Sequence, residues 1–208
     1  MNRADGNMEC YSRNHRIDAS STGVLMTSEE FDSVDDYDEL YRYELVHGVL
    51  VVHENQSAAE ESANEELGYL LWQYEERHPN LSTIDAMLPR RFVYTSDSRY
   101  LADRVLWIGL GRRPEPKHDA PVVVAEFVST GRRDWPHYYS KKWREYEAVG
   151  VAEFWLIDRF DRCMTVFRSG DNSNLALIVA DGEVYRTDLL PDFELPIDRL
   201  LSAADYWE

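Results

Sequence analysis

The stretch VVVAEFVSTGRRDWPHYYSKKWREYEAVG, Val122–Gly150, decides how the chain reads. It opens on an apolar run, Val122–Val128, that carries one carboxylate, Glu126. Asp134 to about Val149 then has helical character, bears Lys141 and Lys142, and ends at Gly150 as a C-terminal cap. The most apolar strand-like run of a chain belongs in the middle of a sheet, with both faces covered. An ionised carboxylate there is costly unless something compensates it, and a divalent metal ion is one such partner. Side chains alternate along a strand, so Glu126 shares a face with Val122, Val124 and Val128, while Val123, Ala125 and Phe127 point the other way.

Two further acids sit in comparable settings: Asp103 in YLADRVLW (Tyr100–Trp107) and Glu44 in YRYELVHG (Tyr41–Gly48). Phosphodiester hydrolysis needs an activated water and a sink for negative charge on the phosphate, and one or two Mg²⁺ ions supply both. Magnesium takes hard oxygen ligands, which carboxylates on neighbouring strands provide. A nearby lysine can orient the water or stabilise the transition state. Each acid also has a plainer reading, as a strand-end group that reaches solvent. Lys141 and Lys142, taken alone, read best as solvated helix residues. Arg132 and Arg133, after Ser129-Thr130-Gly131, read equally as phosphate contacts or as a solvent-facing loop. His47 and His53 flank a turn and read as structural or exposed. Asp158 and Asp161 carry turn chemistry.

The rest of the chain gives a frame for these residues. Residues 1–25 are polar and aperiodic and are expected to be a flexible leader. Thr27 with Glu30 fits a capping box opening a short acidic helix over EEFDSVDDYDEL. Arg42–Val46 and Val49–His53 flank His47-Gly48 as a hairpin. Ala63, Leu67, Leu70, Leu71 and Tyr74 have helical spacing within Ser57 to about Arg77, and Pro79 ends that helix. Leu81–Ile84, Arg91–Tyr94, Leu101–Ile108, Phe154–Ile157, Met164–Arg168, Leu175–Val179 and Val184–Tyr185 read as strands. Gly109–Ala120 is a surface loop, Asp181-Gly182 a hairpin turn, and Leu189–Ala204 a loop with a short helix. One α/β domain over 26–208 accommodates all of this.

At 208 residues the chain can bury a full core. Its 39 acidic against 22 basic side chains give a net charge of −17, which repels polyanions and anionic membranes unless a cleft is locally neutralised. Two cysteines, Cys10 and Cys163, show no metal-ligand spacing or disulfide framework. With no signal-like N-terminus and no run long enough to span a membrane, a cytoplasmic protein is the expectation.

In order along the chain stand MTSEEF, RYELVHGVLV, the Ala102-Asp103 pair, VVVAEFVS, the spacing from Lys142 through Tyr146 to Gly150-Val151, the run EFWLID, and a closing LLPDFELPIDRLL. From about Met26 to Ala204 this resembles the Uma-two family of restriction-endonuclease-like proteins, in the PD-(D/E)xK nuclease superfamily. The resemblance implies a mixed β-sheet flanked by helices. It implies that Asp103 stands for the aspartate of the Pro-Asp motif, Glu126 for the second metal-binding acid, and Glu44 for the acid of the early segment. Lys142 matches the family's helix lysine, since the position two residues after Glu126 is Val128. Other departures are Ala102 for the usual proline, Ser129-Thr130 for Ser-Pro, and Glu60-Glu61 where a histidine often opens the helix. The expected function is a Mg²⁺- or Mn²⁺-dependent endonuclease acting on DNA, with Arg132, Arg133 and Lys141 as DNA contacts. The competing expectation is a catalytically degenerate member acting as an interaction or regulatory module. A hydrolase using paired acids on another substrate ranks below both. Sheet edges in such folds commonly pair, so a homodimer is also expected.

Overall fold

The computed structural model describes residues 16–78, 83–130, 136–170 and 176–207. Their contacts divide the chain into two compact units, Met1–Asn55 with Tyr94–Leu101, and Gln56–Val93 with Ala102–Glu208.

In the first unit a hairpin joins β1 (Tyr41–Val46) to β2 (Val49–Glu54), with Tyr41 opposite Glu54 and Val46 opposite Val49. His47 and Gly48 both take positive φ, 49° and 76°, as a two-residue type I′ turn requires. Leu45 also pairs with Arg99 at the start of β4 (Arg99–Ile108). Thr27 caps α1 (Ser28–Asp32), and the reciprocal bond from the Thr27 N–H to Glu30 completes the capping box. The helix is shorter than the acidic run led us to expect. Ser33 turns its hydroxyl onto the Glu30 carbonyl, and Asp38 takes the Leu40 N–H, so local side-chain bonds replace helix propagation. Residues 16–25, expected to be leader, carry a 3-10 turn (Ala19–Ser21) capped by Asp18, and Leu25 bridges to Val49.

The second unit is a mixed sheet flanked by helices, in the order β4, β5 (Val123–Phe127), β6 (Glu153–Asp158), β7 (Cys163–Arg168), β8 (Leu177–Ala180). β5 and β6 are parallel, and the other neighbours in this order are antiparallel. Parallel neighbours require a crossover, and α3 (Pro136–Ala148) supplies it. Gly150, at φ 101°, and the Val151 N–H on the Tyr146 carbonyl close that helix. α2 (Ala58–Arg77), capped by Ser57, and α4 (Ile197–Asp205) cover one face of the sheet. There Ala63, Leu67 and Leu71 pack with Ala125, Phe127, Trp155, Ile157, Leu200 and Leu201. α3 covers the other face, where Tyr146 meets Phe154 edge-on and Trp143 stacks on Phe167.

Two sequence expectations change here. Arg91–Tyr94 is the end of one eleven-residue strand, β3 (Ile84–Tyr94), while 79–82 lie outside the described residues. β3 pairs β4 off the main strand path, and an edge position tolerates Pro89. Asp181-Gly182 forms a turn, with the Glu183 N–H on the Ala180 carbonyl, but the flanking strands do not pair with each other. β9 (Val184–Tyr185) pairs instead with β10 (Leu195–Pro196).

Candidate active site

The β4–β5 register places Arg104 opposite Ala125 and Val105 opposite Val124. Continued one residue further, that register sets Asp103 opposite Glu126, and in an antiparallel pair opposed side chains share a face. That face is the one covered by α3, as the alternation in Val122–Val128 requires. Both acids are about 4% exposed. The paired ladder ends at Arg104 and Ala125, just before this position. The Phe127 N–H donates at 2.8 Å to Asp103 Oδ2 rather than to a backbone carbonyl.

Glu126 is met by two side chains one helical turn apart on α3. Lys142 Nζ lies 2.7 Å from Glu126 Oε1, and the Tyr146 hydroxyl donates to the same oxygen at 2.7 Å. The ammonium also sits 5.6 and 5.7 Å from the rings of Tyr138 and Tyr146, so the spacing 138, 142, 146 builds an aromatic sleeve around one cation. Lys142 is 1% exposed, which overturns its reading as a solvated residue. Lys141, next to it, is exposed. Compensation of the buried Glu126 carboxylate therefore comes at least in part from the protein itself.

Glu44 belongs to the first unit. It is buried, its Oε2 lies 3.1 Å from His53 Nε2, and its Oε1 accepts the Leu101 N–H at 2.9 Å. His53 is thus the partner of a buried acid, whereas His47 pairs at the surface with Asp97 at 3.1 Å. Arg132 and Arg133 lie outside the described residues.

Three groups around the acids went unread in the sequence. Tyr146 entered only as a spacing marker. Asn64 donates its Nδ2 to the Asp103 carbonyl at 2.9 Å, and Arg104 donates Nε to Asn64 Oδ1 at 2.8 Å. An arginine inside the apolar run beside Asp103, and an asparagine on the inward stripe of α2, were the available signals.

The donor set suits a hard divalent cation: two buried carboxylates on one face, at a rung where the ladder has given way to side-chain bonds. A mixed sheet with helices on both faces is the restriction-endonuclease-like architecture. In agreement, the crystal structure of a "putative nuclease belonging to DUF820" from Anabaena variabilis superposes with a TM-score of 0.69 at 14% identity, covering 86% of this chain and 99% of that one. The chain belongs to the Uma2 family, described as "Putative restriction endonuclease", whose model matches residues 28–198. The type IIG restriction endonuclease BpuSI aligns over 72% of this chain and 16% of its own, at 13% identity and a TM-score of 0.35, too loosely to carry an argument. No curated protein matches the chain in sequence. Among the described residues no helix is long and apolar enough to cross a membrane.

Proposed function

We propose that the chain is a divalent-metal-dependent endonuclease that hydrolyses phosphodiester bonds in DNA. The observation that carries this reading is the opposed, buried pair Asp103 and Glu126 with the Lys142 ammonium on Glu126. Asp103 and Glu126 would hold Mg²⁺ or Mn²⁺. When bound, the ion lowers the pKa of water and offsets charge on the phosphate. The chain's own groups do the rest. The Phe127 N–H fixes one Asp103 oxygen, and the Tyr146 hydroxyl fixes one Glu126 oxygen. Lys142 takes the role of the lysine that the superfamily motif puts at the position of Val128, and would set a cation beside the reacting phosphate. Glu44, which the resemblance adds to the acids, is tested as an independent variant.

DNA binding normally uses basic surface, and this chain carries −17. Arg132, Arg133 and Lys141 flank the start of α3 in sequence and would supply local positive charge. Reversing Arg132 and Arg133 to Glu should weaken DNA binding, and unchanged affinity would remove them from the proposal.

The experiment is cleavage of plasmid and single-stranded DNA with Mg²⁺ or Mn²⁺, comparing wild type with Glu126→Ala, Asp103→Asn and Glu44→Gln. Metal-dependent cutting that disappears in the first two variants supports the reading. A second reading, a nuclease-fold interaction module without catalysis, draws on one observation: Lys142 and Tyr146 already serve Glu126. It predicts no cutting and no calorimetric Mn²⁺ binding by wild type.

A further inference from the structure

Asp103 is gripped from the face of the sheet opposite α3. Asn64 of α2 reaches the strand just past the end of the β4–β5 ladder, and its Nδ2 takes the Asp103 carbonyl at 2.9 Å. The orientation of that amide is set by Arg104, which donates Nε to Asn64 Oδ1 at 2.8 Å and Nη2 to the Asn64 carbonyl at 2.9 Å. Asn64 is 3% exposed and Arg104 5% exposed. Burial holds the Arg104 guanidinium below its ordinary pKa, and Glu65, 3.4 Å away, opposes that shift.

The guanidinium needs room against the helix, and Gly68 makes it. A Cβ added at Gly68 would stand 2.6 Å from Arg104 Nη2 and 2.7 Å from its Cζ. A glycine inside a helix is destabilising relative to alanine. Here, in the middle of a twenty-residue helix, it opens a notch that no other residue can open.

We infer that Asn64, Arg104 and Gly68 form a positioning clamp that sets the Asp103 carboxylate from behind the sheet. This rests on the metal-site reading above. The physical reason lies in what the missing ladder bond leaves behind. Beyond Arg104 and Ala125 the two strands are joined by the Asp103 side chain on the Phe127 N–H, so the carboxylate bridges the strands and faces the site at once. Fixing the peptide plane of Asp103 from α2 removes the backbone rotation that would otherwise swing that carboxylate. Partners of this kind, hydrogen-bonded to the groups that hold a metal, typically change affinity by about 10–100-fold when lost.

The test is calorimetric Mn²⁺ titration of the full chain, with thermal unfolding alongside, on wild type, Asp103→Asn, Asn64→Asp and Gly68→Ala. Asn64→Asp keeps the acceptor for Arg104 and loses the donor to the Asp103 carbonyl. Gly68→Ala touches neither Asn64 nor Asp103 and acts only by displacing the guanidinium. Arg104→Lys replaces it should Gly68→Ala fail to fold. About tenfold or weaker Mn²⁺ binding in the folded variants is the expected result. A merely structural role would lower the unfolding temperature and leave affinity alone, and that pattern, with binding lost only in Asp103→Asn, overturns the clamp while leaving the metal site standing. Wild type that binds no Mn²⁺ removes both.

Discussion

The Lys142 ammonium lies 2.7 Å from Glu126 Oε1, and both side chains are withdrawn from solvent. Each charge is tolerable inside the fold because of the other. Removing one partner of such a pair typically costs about 3–5 kcal/mol, most of it the penalty of the charge left behind. Lys142→Met keeps the length and apolar stem, so it isolates that term. We expect urea unfolding to show a loss in this range, and we expect Glu126→Gln together with Lys142→Met to recover most of it. A single variant as stable as wild type would mean the two charges are not coupled.

Tyr146 carries two separable contributions. Its ring packs edge-on against Phe154 at 5.4 Å, and its hydroxyl donates to Glu126 at 2.7 Å. Tyr146→Phe keeps the first and deletes the second. A hydrogen bond to a charged group is worth about 1.5–3 kcal/mol, and that loss is the expected outcome of a denaturant titration. With Lys142 still on the same oxygen, Glu126 remains paired, so Tyr146→Phe should cost less than Lys142→Met. The reverse order would make the hydroxyl, not the ammonium, the principal support of Glu126.

Much of this was legible in the sequence because the signals were local. Thr27 with Glu30, the His47-Gly48 turn, the stripe of α2 and the apolar run of β5 each follow from residues a few positions apart. The acids stood out because charge inside an apolar run demands a cause. Lys142 stood out only through the family resemblance, since a lysine on a helix is ordinarily solvated, and it is the crossover geometry that lays α3 over β5 that buries it. Asn64 and Arg104 were hidden for the same reason: they are 40 positions apart, and only the packing of α2 on β4 makes them partners. β3 reads as fragments in the sequence because Pro89 and Arg90, the latter at φ 50°, interrupt its pattern, although the strand runs on through them.

The hairpin of the first unit depends on its turn. Gly48 has φ 76°, and an added Cβ would meet only the Met26 carbonyl oxygen at 3.5 Å, an ordinary contact. The cost of Gly48→Ala is therefore conformational, about 1 kcal/mol or somewhat more. His47→Asn should stay within about 0.5 kcal/mol, because asparagine accepts the left-handed region and the exposed pair with Asp97 contributes little. Thermal unfolding of the two variants side by side checks this, and a larger loss for His47→Asn would assign the stability to the His47–Asp97 pair.

Glu153 collects the polar groups at the opposite end of β6. Its Oε2 accepts from Trp155 Nε1 at 2.8 Å and the Tyr185 hydroxyl at 2.7 Å, and its Oε1 accepts from Thr187 at 2.8 Å, with Arg168 Nε 3.4 Å away. Burial, reinforced by the Glu153 charge and opposed by Arg168, pushes the Tyr185 hydroxyl up to about 12. The folded value lies above that of a free tyrosine, near about 10. The protonated hydroxyl therefore contributes stability that is fully present below about 10 and is lost as pH rises through the folded value. In an absorbance titration at alkaline pH, wild type should show a late-ionising tyrosine that is missing from Tyr185→Phe, and the stability difference between them should shrink across the same interval. A Tyr185→Phe titration that superposes on wild type after scaling for one ordinary tyrosine would show that Tyr185 ionises freely, and that the Glu153 cluster does not hold its proton.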